Sequence, residues 1–191
     1  MKIVCIGDSL TEGYRMDLSR RWTDALSETV KIEVINSGIC GDTTGGMLAR
    51  FKAMVLDHEP SHVLIMGGTN DMMVGVTIET IKSNILAMTR YARHYGIQAI
   101  IGIPTAYYVE LLSPSNQTER EMALARRIEN MRNEIRSFVV EDGLPIIEFG
   151  EHLTMDDYLD DGCHPNEDGH YKMMLSVKSY VETLITKGTY E

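Results

Sequence analysis

The sequence predicts an α/β protein built on a five-stranded parallel sheet, doubly wound with helices on both faces, in one domain spanning residues 1–191. Three observations predict it. Five short runs, β-branched or alternating at period two, are bounded by Gly, Pro or polar turn residues, as strands are. Between them lie longer stretches with apolar residues three and four apart, the spacing of a helix buried along one face. The two patterns alternate, and strand–helix alternation closes into parallel sheets. No repeat, linker or low-complexity segment interrupts them, and 191 residues can bury roughly 70% of their unfolded surface in one core.

The first strand is Ile3-Val4-Cys5-Ile6, brief, β-branched and stopped by Gly7. A first helix is expected over residues 20–30, with Trp22, Ala25 and Leu26 inward. Lys31 to Asn36 alternates at period two and reads as a second strand at an edge. Ser37 to Gly46 holds four glycines and two threonines and reads as a loop. A helix should run from Thr44 or Gly45 to about His58, ended by Pro60. Val63 to Met66 is the third strand, closed by Gly67-Gly68. Ile78, Ile81, Ile85, Met88 and Ala92 mark one face of a helix with Gly96 as its C′ residue. Ile97 to Ile103 is the fourth strand, stopped by Pro104. Leu124, Ile128, Met131, Ile135 and Phe138 stripe a long helix ending near Gly143, and Leu144 to Phe149 is the fifth strand. A last helix follows Asn166, with Met174, Val177, Val181 and Leu184 inward.

Composition excludes more than it identifies. Lys and Arg total 18 against 28 Asp and Glu, a net charge of −10, which argues against binding nucleic acid or an anionic membrane by bulk charge. Cys5, Cys40 and Cys163 are too few and too scattered for a disulfide framework or a zinc site, so no metal is expected. No stretch resembles a secretory signal or a membrane span, and a cytoplasmic protein is the expectation.

The residues that could carry chemistry sit after strands, on the rim where ligands bind in open α/β sheets. Asp8-Ser9 follows the first strand, Asn36 to Thr43 the second, Gly67-Gly68-Thr69-Asn70-Asp71 the third, and Asp160 to Asn166 the fifth. Ser9 is a nucleophile if a base takes its proton, and His164 is the residue able to accept it near pH 7. Asp161, three residues before His164, could hold the other ring nitrogen. Gly41 could offer an unhindered backbone N–H, and the Asn70 amide a second donor to a developing oxyanion. Each has a duller reading. Ser9-Leu10-Thr11-Glu12 fits a capping box with Ser9 as N-cap. Asp161-Gly162 is a common turn pair, Gly67 to Asp71 would serve as a plain turn, and Gly41-Asp42-Thr43 as a helix cap.

Their order resolves the choice. Gly7-Asp8-Ser9-Leu10, Gly41-Asp42-Thr43, Gly67-Gly68-Thr69-Asn70-Asp71 and Asp161-Gly162-Cys163-His164 together resemble the four blocks of the SGNH hydrolases, the GDSL esterase/lipase family. The resemblance covers nearly the whole chain. It implies a three-layer flavodoxin-like α/β/α sandwich, Ser9 as nucleophile, His164 as base and Asp161 as orienting acid. It also implies Ser9 N–H, Gly41 N–H and Asn70 as oxyanion donors, and no cofactor. Asp8 and Asp71 should give supporting hydrogen bonds, and Cys163 should be inert. Only Asp161, not Asp160, has the DxxH spacing to His164.

The activity this implies is hydrolysis of a small-molecule carboxylic ester or thioester, with short acyl groups and acetylated sugars both open. Tyr107, Tyr108 and Leu111 could wall an acyl pocket or belong to the core, and Met72 and Met73 pose the same choice. Two alternatives keep the same rim: a flavodoxin-like binding module, and an acyltransferase with a non-water acceptor.

Overall fold

The computed structural model describes residues 1–188, with side chains to residue 186; the last three residues of the expected domain, 189–191, lie outside the described residues. The strands are β1 (Lys2–Gly7), β2 (Glu33–Gly38), β3 (His62–Met66), β4 (Gln98–Ile103) and β5 (Ile146–Glu148). The helices are α1 (Ser9–Glu12), α2 (Trp22–Val30), α3 (Thr44–Ala49), α4 (Phe51–Met54), α5 (Thr69–Val74), α6 (Ile78–His94), α7 (Glu119–Glu141) and α8 (Glu167–Gly188). No described helix is long and apolar enough to cross a membrane.

All strand pairs are parallel, in the order β2-β1-β3-β4-β5. The edge position expected for the second strand is the one β2 holds. Alternate strand residues feed opposite layers, as the period of two demands. Val4, Ile6, Val63, Ile65 and Ile101 pack under α3, α4, α6 and α7 through Met47, Phe51, Ile85, Met88, Met131 and Ile135. Ile3, Cys5, Leu64, Met66 and Ile100 face Trp22 and Leu26 of α2 and Met174, Val177 and Val181 of α8. The sheet is thus sandwiched between two helical layers, the expected α/β/α arrangement.

The strand order fixes where loops meet. From β1 the chain steps outward to β2, then crosses back to β3 on the other side of β1. This makes the carboxyl ends of β1 and β3 a topological switch point, where a crevice opens.

Three local expectations are corrected. The helix expected from Thr44 to His58 is broken: Arg50, at φ −98° and ψ 4°, separates α3 from α4, and Leu56–His58 is a 3₁₀ turn. Ser37 and Gly38 belong to β2, because both continue its pairing with β1. Gly67-Gly68 is followed at once by the short helix α5, closed by Gly75 in the left-handed region at φ 85°.

Gly38 shows why the rim is tight. A Cβ there would lie 2.1 Å from the Glu12 backbone nitrogen and 2.7 Å from its Cα, so α1 passes β2 only because the side chain is absent. Gly38→Ala should therefore lower folding stability by about 1–3 kcal/mol, read from urea denaturation midpoints. A change under about 0.5 kcal/mol would mean that α1 is free to move away from β2.

Candidate active site

The short helix α1 begins directly at the end of β1. Its N-cap is Asp8, whose carboxylate accepts from the Leu10 N–H at 2.9 Å. The capping box with Ser9 as cap is therefore wrong by one residue: Ser9 is the first helical residue, and its hydroxyl is free to point elsewhere. It points to His164, with Oγ 2.9 Å from Nε2. Ser9 is 6% exposed.

His164 and Asp161 come from the long segment after β5. That segment doubles back through an antiparallel bridge between Tyr158 and Pro165, and the Leu159 N–H donates to the His164 carbonyl at 2.8 Å. Asp161 uses each oxygen differently. Oδ1 accepts from the N–H groups of Cys163 and His164 at 3.0 and 2.9 Å, and Oδ2 lies 2.8 Å from His164 Nδ1. Burial alone would push this carboxyl up, but the two N–H groups and the imidazole outweigh it and hold it below the usual range. Gly162 stands between them at φ 68°, where a Cβ would lie 2.1 Å from the Tyr108 carbonyl oxygen. Cys163 is buried, and burial, with Asp8, Asp161 and Cys40 near it, pushes its thiol up to about 12. That shift disfavours the thiolate, the form in which a cysteine is a nucleophile.

Asn70, in the first turn of α5, reaches across the switch point. Its amide donates to the Asp42 carbonyl at 3.0 Å and to Asp8 Oδ2 at 3.3 Å. Gly41 precedes Asp42 in a turn closed by the Asp42 N–H donating to Ile39 O at 3.1 Å. Gly41 sits at φ 79° with nothing within 4 Å of where a Cβ would be. The glycine is required by backbone conformation, not by crowding, and the space beside it is open. Asp71 accepts from the Thr44 hydroxyl at 2.6 Å and the Thr44 N–H at 2.9 Å, holding the first residue of α3, while the helix is capped by Thr43, whose hydroxyl accepts from the Gly46 N–H at 3.2 Å. Asp8 is fully buried, and burial first, then the nearby Asp71 and Asp42, pushes its carboxyl up to about 7.

Two side chains at the site carried no signal in the sequence pattern. Arg50 donates to Asp42 Oδ2 at 2.7 Å, the Ser37 carbonyl at 2.7 Å and the Gly7 carbonyl at 2.9 Å, tying the ends of β1 and β2 to the Gly41 loop. Tyr14 lays its ring against the His164 imidazole, centroids 4.3 Å apart and planes 37° apart. An arginine within a helix and a tyrosine after one are ordinary surface residues until the fold is known. The proposed wall is less gathered. Tyr107 donates its hydroxyl to Glu121 at 2.7 Å, Tyr108 meets Tyr158 edge-on with centroids at 5.0 Å, and Leu111 packs on the α8-side core. A cavity of about 520 Å³ lies between residues 106–110 and α7, lined by Tyr107, Tyr108, Val109, Met122 and Arg126. Met72 is core at 2% exposure, whereas Met73 is 40% exposed.

The chain is similar to known proteins. Residues 5–172 match the GDSL-like lipase/acylhydrolase family. An arylesterase from Vibrio mimicus is 34% identical over 114 residues, 56% of this chain and 57% of that protein. Esterase TesA from Pseudomonas aeruginosa is 30% identical over 122 residues, 58% of this chain and 61% of that protein. The chain thus spans about three-fifths of these two relatives in the matched regions. A carbohydrate acetylesterase family member from Sinorhizobium meliloti superposes with a TM-score of 0.80 over 97% of this chain and 100% of that one, a likeness of fold at 19% identity. With the match running from β1 into the first turns of α8, the chain belongs to the GDSL-like lipase/acylhydrolase family.

Proposed function

We propose that the protein is a serine esterase that cleaves small carboxylic esters or thioesters through an acyl-enzyme on Ser9. One observation carries this reading: the continuous chain from Asp161 Oδ2 to His164 Nδ1 at 2.8 Å and from His164 Nε2 to Ser9 Oγ at 2.9 Å. His164 takes the Ser9 proton as Oγ attacks the acyl carbonyl, and Asp161 holds the imidazole in the tautomer that leaves Nε2 free to accept. The imidazolium then protonates the leaving alcohol or thiol. It later deprotonates the water that releases the acid.

The oxyanion is assigned to the N–H groups of Ser9 and Gly41 and to the Asn70 amide. Both Asn70 amide hydrogens are engaged without substrate, the contact to Asp8 being the longer at 3.3 Å. That hydrogen is the one to pass to an oxyanion, while the Asp42 carbonyl keeps the amide from flipping. The half-buried Tyr107 and Tyr108 border the cavity against α7, which would receive the acyl group, while Leu111 stands on the α8 side of the sheet. The names of the relatives, an arylesterase and an esterase, agree with ester cleavage. A pure binding module would leave the Asp161–His164–Ser9 chain without use.

Fluorophosphonate labelling followed by intact mass should give one adduct on wild type and none on Ser9→Ala; an adduct that persists in the variant overturns the assignment. Ser9→Ala or His164→Ala should cost on the order of 10⁶ in kcat, and Asn70→Ala about 10²–10³. An Asn70→Ala enzyme with wild-type turnover removes Asn70 from the oxyanion site.

Asp8 separates stability from activity. Its carboxyl titrates near 7 in the folded chain against 3.8 as the reference value, so folding favours the protonated form. Its contribution to stability is intact below about pH 4 and is lost as pH rises to about 7. Asp8→Asn removes the charge, so its stability should gain on wild type between these pH values and level off above, by at most about 4 kcal/mol at pH 8, read as a rise in melting temperature. The same change sets an amide against the Asn70 amide and should lower kcat. Equal melting curves for the two proteins at pH 4 and pH 8 would show that Asp8 carries no such cost.

A further inference from the structure

The two ring nitrogens of His164 are both engaged, Nδ1 with Asp161 and Nε2 with Ser9. Those contacts fix the axis through the nitrogens but not rotation about it. A group lying on the face of the imidazole is what resists that rotation, and Tyr14 occupies this place with centroids 4.3 Å apart.

Tyr14 is itself tied to the proposed nucleophile. The Ser9 carbonyl accepts from the N–H of Gly13 at 3.0 Å and from the N–H of Tyr14 at 3.2 Å, closing α1 on itself. Gly13, at φ 87°, turns the chain back there, and a Cβ on it would lie 2.5 Å from Arg21 Cγ. Arg15 follows in the left-handed region at φ 60° and sets its guanidinium carbon 5.2 Å from the Tyr14 ring centroid. A left-handed residue that is not glycine is uncommon, and here it folds an exposed cation over the ring. Nucleophile, turn and ring are therefore joined through backbone hydrogen bonds to one carbonyl.

We propose that Tyr14 is a positioning residue for the reaction at Ser9: its ring holds the His164 imidazole in the plane that serves both Ser9 and Asp161, and presents π-density to the charge the imidazole gains. An aromatic face attracts an imidazolium more than a neutral imidazole, so the contact strengthens as the proton leaves Ser9. The ring, not the hydroxyl, carries this role. The inference rests on the esterase reading above.

The test is steady-state hydrolysis of p-nitrophenyl acetate by wild type, Tyr14→Phe and Tyr14→Leu, with Tyr14→Leu also made in the His164→Ala background. Phe should stay within about twofold of wild type, and Leu should lose about three- to tenfold in kcat with KM within about twofold. In the His164→Ala background Leu should change nothing, because the residue it acts through is gone. In NMR spectra, the upfield ring-current shift of the His164 ring protons should appear in wild type and Phe and vanish in Leu. A loss confined to KM would make Tyr14 a substrate wall, and a Phe variant as poor as Leu would make the hydroxyl the agent. A Leu effect of equal size without His164 would mean general loosening, and a wild type without the ring-current shift would mean no contact. Each of these overturns the proposal. A wild type inert toward both the ester and fluorophosphonate overturns the esterase reading and this inference with it; an active wild type with an unchanged Leu variant overturns this inference alone.

Discussion

The rim depends on how closely backbone can pass backbone at the end of β1. A Cβ at Gly7 would lie 2.1 Å from Thr11 Oγ1 and 2.7 Å from the Met66 carbonyl, and one at Gly38 would meet Glu12 backbone. With both side chains absent, the chain leaves β1 and enters α1 without a connecting loop. Ser9 then sits at the switch point itself, between the ends of β2 and β3. A longer turn would lift it out of reach of a residue arriving from beyond β5. The geometry is bought with glycine's backbone entropy and with buried polar groups that need partners.

Those partners form a second layer beneath the reacting groups. Asp8 caps α1 and holds Asn70, Arg50 bridges two strand-end carbonyls and the Asp42 carboxylate, Asp71 holds the first residue of α3, and Glu12 accepts from the Cys40 N–H. Every one of these joins elements that are adjacent only at the rim. Removing the Asp8 or Asp71 link leaves a buried donor unsatisfied, which costs more than the link itself contributes.

Fold and principal site residues were legible for a common reason. Strands such as Val63–Met66 and helices such as Ile78–His94 announce themselves by period and by punctuation, because burial imposes both. Ser9, Asn70, Asp161 and His164 were legible because each lies in a short block of glycines and small polar residues directly after a strand. What stayed hidden depends on partners distant in sequence. Asp8 and Ser9 are equally good N-caps by chemistry, and only the pull of His164 on the Ser9 hydroxyl separates them. Arg50 stands at a helix break that local propensity does not foresee, since α3 and α4 together carry an unbroken apolar stripe. Tyr14 meets a residue 150 positions away, beyond any window of local pattern.

Burying Asp8 opposes folding at neutral pH, and its neighbours Asp42 and Asp71 add to that cost rather than relieve it. A core built for stability alone would place an uncharged residue there, as Asn would still cap the helix. Asn would not, however, present a second acceptor to Asn70 without turning that amide around. The carboxylate is the only common side chain with an acceptor for the α1 N–H on one oxygen and for the Asn70 amide on the other. The same logic applies to Asp161, which divides its oxygens between the loop backbone and the imidazole. Both carboxylates work by having two equivalent acceptors in one rigid plane, each joining a backbone turn to a functional side chain. That is why this rim departs from a stable, apolar interior.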